Sequence, residues 1–232
     1  MECLNNKSHY WLLPIRSIAF LSIFPLLAWV TGNSLTYVSR WWPVLAVIVN
    51  IACVLLLHTL TKGNYKCYIN YKKGKTRKGF VISVIAFSII LGVGGMYGAG
   101  FIVFGAFPYL DTTMIQPIPI FAAVLCVILL PLSTTLAEDG IHLGIINSTD
   151  GSKSVTLVSA FFFAVQHSFI PFLMDSRFML FRFLSFLPLA LLYCFWYQKS
   201  RNPLPFMIGH FVMNLFTVAM LMAVAIYPDL FM

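Results

Sequence analysis

The sequence predicts an all-α, polytopic integral membrane protein, and three observations lead to this fold class. Hydrophobic residues make up 60% of the 232 residues, whereas charged residues make up only 9%. The mean hydropathy is +0.89, and a water-soluble domain of this composition would lack the polar groups needed to cover its surface. The apolar residues fall in runs of about 20, the length that crosses a bilayer as a helix. We therefore expect a bundle of about seven transmembrane helices, within a range of six to eight.

Seven apolar runs are long enough to be predicted as membrane spans. They are Trp11–Val30, Trp41–Leu60, Phe80–Phe107, Pro117–Ala137, Val155–Met174, Phe178–Gln198 and Pro205–Tyr227. The first run has no clear small-x-small cleavage site, so we expect it to stay as a helix rather than to be removed as a signal peptide. The fourth run can also continue past Ala137 as one longer helix. Arg16 and Arg182 lie near the ends of their runs and are interpreted as interface anchors.

The segment 61–79 is the clearest loop between two spans. It holds Lys62, Lys66, Lys72, Lys73, Lys75, Arg77 and Lys78 and no acidic residue. The positive-inside rule places this loop, and with it the N-terminus, in the cytoplasm of a multi-pass cell-membrane protein. The net charge of +8 is thus explained by topology, and nucleic-acid binding is not expected. The expected partners are the lipid bilayer and a membrane-associated peptide or protein.

Small and polar residues inside the spans predict how the helices pack. Gly94 and Gly98 form a small-xxx-small pattern, which predicts close approach of another helix at this face. Asn50 and Gln166 are expected to form hydrogen bonds between helices. The five cysteines are scattered without a CxxC pair, so we interpret them all as small hydrophobic residues. They are Cys3, Cys53, Cys67, Cys126 and Cys194.

Glu138, His167 and His210 are ionisable residues within a predicted span or directly after one. Glu138 follows a long apolar run, and a charge at the bilayer centre costs about 2.5–3.5 kcal/mol on insertion scales, so such residues are usually functional. His167 lies in the fifth span, and His210 lies four residues before Asn214 on one face of the seventh. We expect these groups to meet in the inner half of the bilayer, in a water-filled pocket open to the cytoplasm.

A carboxylate and two imidazoles at one depth suit the hydrolysis of an amide. Glu138 acts as general base on a water molecule, while His167 orients that water or shares its proton. His210 and Asn214 donate hydrogen bonds to the oxyanion formed at the carbonyl. Glu138, His167 and His210 also suffice to bind zinc with an open fourth position. No HExxH pair is present, which favours a metal-free mechanism without a cofactor.

Together these residues resemble the motifs of the CPBP family, the CAAX proteases and bacteriocin-processing enzymes, which are integral membrane endopeptidases. The family pattern is EExxxRG, then FxxxH, then HxxxN or HxxxD. The matching segments here are Glu138–Gly144, Phe163–His167 and His210–Asn214, in the same order. The resemblance implies that Glu138 is the catalytic base and that His167, His210 and Asn214 hold the water and the oxyanion. It covers roughly 117–227, so we divide the chain into N-terminal helices (1–107) and a CPBP-like catalytic core (108–232).

Two residues of the first motif depart from the family pattern. Asp139 replaces the second glutamate, and Leu143 stands where the family has arginine. His142, four residues after Glu138, is a candidate for supplying part of the missing positive charge. These departures favour an alternative, a catalytically impaired member that confers bacteriocin immunity or regulates another membrane protein. A third hypothesis is a small proton-coupled transporter, although no internal repeat is evident.

Overall fold

The helices pack as a single all-α bundle, as predicted. The structure is a computed structural model that describes residues 9–71, 76–107, 115–149 and 152–230. Its α-helices are α1 (Ile15–Thr31), α2 (Leu35–Ser39), α3 (Trp42–Leu60), α4 (Tyr65–Tyr68), α5 (Lys78–Phe104), α6 (Ile120–Thr134), α7 (Gly140–Ser148), α8 (Lys153–Val165), α9 (Ser176–Ser200) and α10 (Leu204–Ile226). Three lysines of the predicted basic loop, Lys72, Lys73 and Lys75, lie outside the described residues.

Six helices of the described chain are long and apolar enough to cross a membrane. This number confirms the predicted multi-pass bundle of six to eight spans. The predicted span Val155–Met174 is not one long helix: α8 ends at Val165, a 3-10 turn covers Gln166–Phe169, and the chain then runs without regular structure to α9. The first part of this irregular segment is buried in the bundle, at Ile170 and Phe172, whereas Met174 is 87% exposed.

The fourth span is the longer helix that the sequence allowed as an alternative, running from Ile120 to Ser148. A π-helical turn at Thr135–Asp139 joins α6 to α7. Pro131 lies one turn earlier and has no N–H to donate, so the helical hydrogen-bond ladder is already interrupted there. A π turn inserts an extra residue and rotates the side chains that follow it. It thereby sets the direction in which Glu138 and Asp139 point.

Hydrogen bonds between helix ends define two faces of the bundle. On the side of the basic loop, which we call the basic face, Asn70 donates to the carbonyl of Arg201 at 2.7 Å and Asn147 to that of Tyr68 at 2.9 Å. On the other side, the opposite face, Ser39 donates to the carbonyl of Phe172 and Arg177 to that of Val103. The chain from Lys153 to Ser176 runs from the basic face to the opposite face.

Close helix packing on α5 uses glycines other than those predicted. A side chain at Gly94 or Gly98 would meet no atom within 4 Å, so the prediction that this pair packs against another helix of the chain is wrong. A Cβ atom at Gly95 would instead lie 2.4 Å from the Ser185 carbonyl oxygen of α9. The packed glycine is one residue along the helix, on the side that faces the bundle, because a step of one residue rotates the direction by about 100°.

The cysteines do not all follow the interpretation as small hydrophobic residues. Cys53, Cys126 and Cys194 are free and buried, in agreement with it. Cys67, beside the basic loop, is disulfide-bonded, so the interpretation is wrong for this residue. Cys3 lies outside the described residues.

Candidate active site

Glu138 lies in the interior of the bundle, on the π-helical turn. Its side chain is 2% exposed, and the two carboxylate oxygens have different surroundings. Oε1 forms an ion pair with Arg16 at 2.6 Å. Oε2 accepts a hydrogen bond from the amide of Gln166 at 3.0 Å and faces His167 and His210. The carboxylate is therefore anchored through one oxygen and presents the other to the histidines.

The two imidazoles approach the same carboxylate oxygen from different helices. Nε2 of His167 lies 3.8 Å and Nε2 of His210 lies 3.7 Å from Oε2 of Glu138. Both separations are too long for direct hydrogen bonds. They suit groups that share one small polar molecule between them. The sequence-predicted meeting of these three residues is thus found in the structure.

The opposite ring nitrogens are held by acceptors, which fixes the orientation of both histidines. Nδ1–H of His167 donates to the carbonyl oxygen of Phe163 at 2.8 Å, and Nδ1–H of His210 donates to the Asp139 carboxylate at 3.1 Å. In the neutral ring, each Nε2 consequently carries a lone pair, and after protonation it becomes a donor. Asp139 therefore supports His210 rather than Glu138.

Phe163 forms the aromatic support of the site. It is 1% exposed, and its ring centroid lies 5.1 Å from that of His142 and 5.7 Å from those of His167 and His210. His142 is fully buried on this ring and lies beyond ion-pair distance of Glu138, so it does not replace the missing arginine by direct contact. Asn214 lines the neighbouring cavity, and its amide donates to the backbone carbonyl of His210 at 3.1 Å.

Sequence reasoning missed Arg16 as a site residue. The sequence pattern predicts an interface anchor, whereas the side chain is 1% exposed and pairs with Glu138. Asn50 and Gln166 form the expected interhelical hydrogen bonds, and both use them to hold this guanidinium. The only indication in the sequence is that an arginine lies near the end of an apolar run. An ordinary interfacial arginine has the same position, so the sequence does not distinguish the two.

A cavity of about 330 Å³ adjoins the carboxylate. Its walls come mainly from apolar side chains of α5, α9 and α10. Arg182, interpreted from sequence as an interface anchor, lines it and donates to the carbonyl oxygen of Ile170 at 2.7 Å. Val93 and Phe216 line the cavity and are also exposed on the bundle surface. The cavity therefore reaches the surface between α5 and α10.

The cavity extends from Glu138 towards the opposite face. Trp42, Ile115 and Ile170, which line it, lie near the ends of elements on that side. Towards the basic face the site is closed, because Tyr65 donates to the carbonyl of Leu136 at 2.7 Å and Tyr68 packs over Gly144. The sequence predicts that the basic loop and the opening of the pocket both face the cytoplasm. The structure places the loop and the cavity on opposite faces of the bundle, so these two predictions cannot both hold.

The polar groups at the centre of the site are one carboxylate and two imidazoles. Within the described ranges, no group of three or more His, Cys, Asp and Glu side chains has the arrangement needed to hold a metal ion. Residues 116–216 match the family described as type II CAAX prenyl endopeptidase Rce1-like. This segment contains all three motifs, and it does not contain Arg16. No curated protein and no solved structure matches the chain.

Proposed function

We propose that this chain, whose residues 116–216 match the family described as type II CAAX prenyl endopeptidase Rce1-like, is a member of that family and an active intramembrane endopeptidase. It hydrolyses a peptide bond of a membrane-associated or lipidated protein or peptide. The observation that carries this proposal is the convergence of one carboxylate oxygen of Glu138 and two imidazole nitrogens within 3.8 Å. The three groups come from separate parts of the chain and are held by their other polar atoms.

The arrangement supports water activation by Glu138. A water molecule between Oε2 and the two Nε2 atoms is oriented by three polar atoms and gives its proton to the carboxylate as its oxygen bonds to the substrate carbonyl carbon. His210, held between the Asp139 and Glu138 carboxylates, carries a proton on both ring nitrogens throughout the reaction and donates from Nε2 to the oxyanion, and Asn214 lies one helical turn further along the cavity wall. Collapse of the tetrahedral intermediate breaks the C–N bond, and the proton passes from Glu138 to the leaving amine. The products are a carboxylate and an amine.

The cavity walls indicate the class of substrate. Met96, Met213 and Met220 line the cavity with other apolar side chains, and flexible thioethers adapt to varied apolar groups. The opening between α5 and α10 lies on a surface that faces lipid. A substrate carrying a lipid or a hydrophobic segment can therefore enter from the membrane, with its scissile bond at Glu138.

Sidedness gives the first prediction. If the basic loop is cytoplasmic, as the positive-inside rule requires, the cavity is reached from the other side of the membrane. In sealed vesicles, a membrane-anchored reporter peptide is expected to be cleaved when presented on the face opposite the basic loop. It should stay intact when presented on the basic face. Detergent permeabilisation should equalise the two preparations, and preferential cleavage on the basic face would contradict the assigned access route.

The histidines give the second prediction. His210→Ala removes the group that orients water and holds the oxyanion, and cleavage is expected to fall about 10²- to 10⁴-fold. His58→Ala is the matched control, since His58 is exposed at the end of α3, and it should cleave like the wild type. Both variants are compared at equal amounts of folded protein, using lipidated and unlipidated hydrophobic peptides as candidate substrates. The same assay after exhaustive chelation separates the metal-free mechanism, which retains activity, from a zinc-dependent one.

The catalytically impaired alternative predicts a different result in this assay. It is favoured by Leu143 and Asp139, the two departures from the motif. Under that alternative the wild type cleaves no member of the peptide panel. Glu138→Gln or His210→Ala would then change only the binding of another membrane protein.

A further inference from the structure

Leu143 stands where the family pattern has an arginine, and its apolar side chain cannot form an ion pair with a carboxylate. Leu143 is 1% exposed and belongs to an apolar cluster with Val84, Ile146 and Tyr193. Glu138 is nevertheless buried as a carboxylate in the bundle interior, where an unpaired charge is strongly unfavourable. A positive charge must therefore reach it from elsewhere in the fold.

We infer that Arg16 on α1 takes over this task and is a positioning residue for Glu138. This inference rests on the proposed function and extends it to a helix that lies outside the family match of residues 116–216. The guanidinium reaches Oε1 of Glu138 at 2.6 Å. The ion pair thereby occupies Oε1 and leaves Oε2 facing the two histidines.

Arg16 is buried and held by hydrogen bonds to other helices, unlike an arginine that extends to the membrane interface. Asn50 Oδ1 accepts from Nε at 3.1 Å and from Nη2 at 2.7 Å. The amide of Asn50 donates in turn to Thr134 Oγ1 at 2.8 Å, on the last residue of α6. The guanidinium is thus held by α3 and, through Asn50, by the helix that carries Glu138, so its Nη1 is fixed in place to pair with Oε1 of Glu138.

Gln166 links the arginine to the reacting side of the carboxylate. Its Oε1 accepts from Arg16 Nη1, and its amide nitrogen donates to Oε2 of Glu138 at 3.0 Å. Gln166 directly precedes His167, one of the two imidazoles at Oε2. A displacement of Arg16 is therefore transmitted to the carboxylate and to the residue beside His167. The two departures from the family pattern consequently do not leave the carboxylate without a cation.

The first test compares Arg16→Gln with Arg16→Lys in the peptide-cleavage assay. Arg16→Gln is expected to lower kcat by about 10²-fold through misplacement of the carboxylate, with KM changed less than about threefold. Arg16→Lys keeps a charge and should stay within about tenfold of the wild type. Arg177→Gln, at an exposed arginine of α9, is the matched control. Unchanged kcat in folded Arg16→Gln would overturn the inference.

The second test does not depend on cleavage and so separates this inference from the proposed function. Dicyclohexylcarbodiimide adds to the protonated form of a carboxyl group, and the ion pair with Arg16 keeps Glu138 ionised. Labelling of Glu138, located by mass spectrometry, should be several-fold faster in Arg16→Gln than in the wild type, and slow again in Arg16→Lys. Equal labelling rates in all three proteins would overturn the inference even if the wild type is an active protease. If Arg16→Gln does not fold, Asn50→Ala, which removes two acceptor contacts of Arg16, should show the same acceleration.

Discussion

Replacement of Glu138 by glutamine is expected to abolish peptide cleavage while leaving the shape of the site intact. Glutamine is nearly isosteric with glutamate but accepts no proton at neutral pH, so the attacking water loses its base. Loss of a general base costs about 10²- to 10⁴-fold in rate. The measurement is the initial rate of cleavage in membranes or detergent micelles at matched protein levels.

The chain offers a matched control for this experiment. Glu2 is the only other glutamate in the sequence. It is not among the residues that the structure describes. Glu2→Gln makes the identical chemical change and should cleave at the wild-type rate. Cleavage by Glu138→Gln at a rate comparable to this control would exclude Glu138 as the base and with it the proposed mechanism.

The second large effect is on stability, because Arg16 and Glu138 form a buried ion pair. Removing one partner of such a pair costs about 3–5 kcal/mol, since the remaining charge is left without compensation. Arg16→Met and Glu138→Gln are therefore each expected to lower the free energy of unfolding by about this amount. The double variant should be destabilised by clearly less than the sum, because it contains neither charge. Unfolding of the purified protein in detergent, followed by denaturant or temperature, measures all three changes.

A control cycle shows whether the coupling is specific. Arg16→Met combined with Asp229→Asn should give additive changes, within about 0.5 kcal/mol, because Asp229 is exposed and, among the described residues, no ion pair or hydrogen bond joins it to Arg16. Additive changes for Arg16 with Glu138 would show that the ion pair contributes little to folding. A large coupling would also explain why this arginine is buried in the bundle.

Local patterns in the sequence were sufficient for the class of protein and for part of the site. Hydropathy gave the membrane spans because burying apolar side chains and satisfying backbone hydrogen bonds are requirements of each segment by itself. Helical periodicity placed His210 and Asn214 on one face of α10. The family motifs indicated Glu138, His167 and His210 as a group, and the structure brings these three together.

The helix faces could not be assigned in the same way. Gly94 and Gly98 have the small-residue pattern, yet Gly95 is the glycine packed against α9. Packing at Gly95 and packing at the Gly94–Gly98 face are equally consistent with the local sequence, since every residue of α5 is compatible with a helix in lipid. The choice depends on how α5 rotates about its axis to fit α9 and α10, which is a property of the whole bundle.

The sequence by itself determined that this protein is a membrane-spanning helical bundle with a carboxylate and two imidazoles at one depth, because these properties follow from local composition and spacing. Only the tertiary structure decided that Arg16 pairs with Glu138 and that the cavity extends away from the basic face. An ion pair between α1 and the helix of Glu138 depends on the packing of distant segments, and the shape of a cavity depends on gaps between several helices. Neither leaves a periodic signal in the chain, so both emerge only when all the helices are in place.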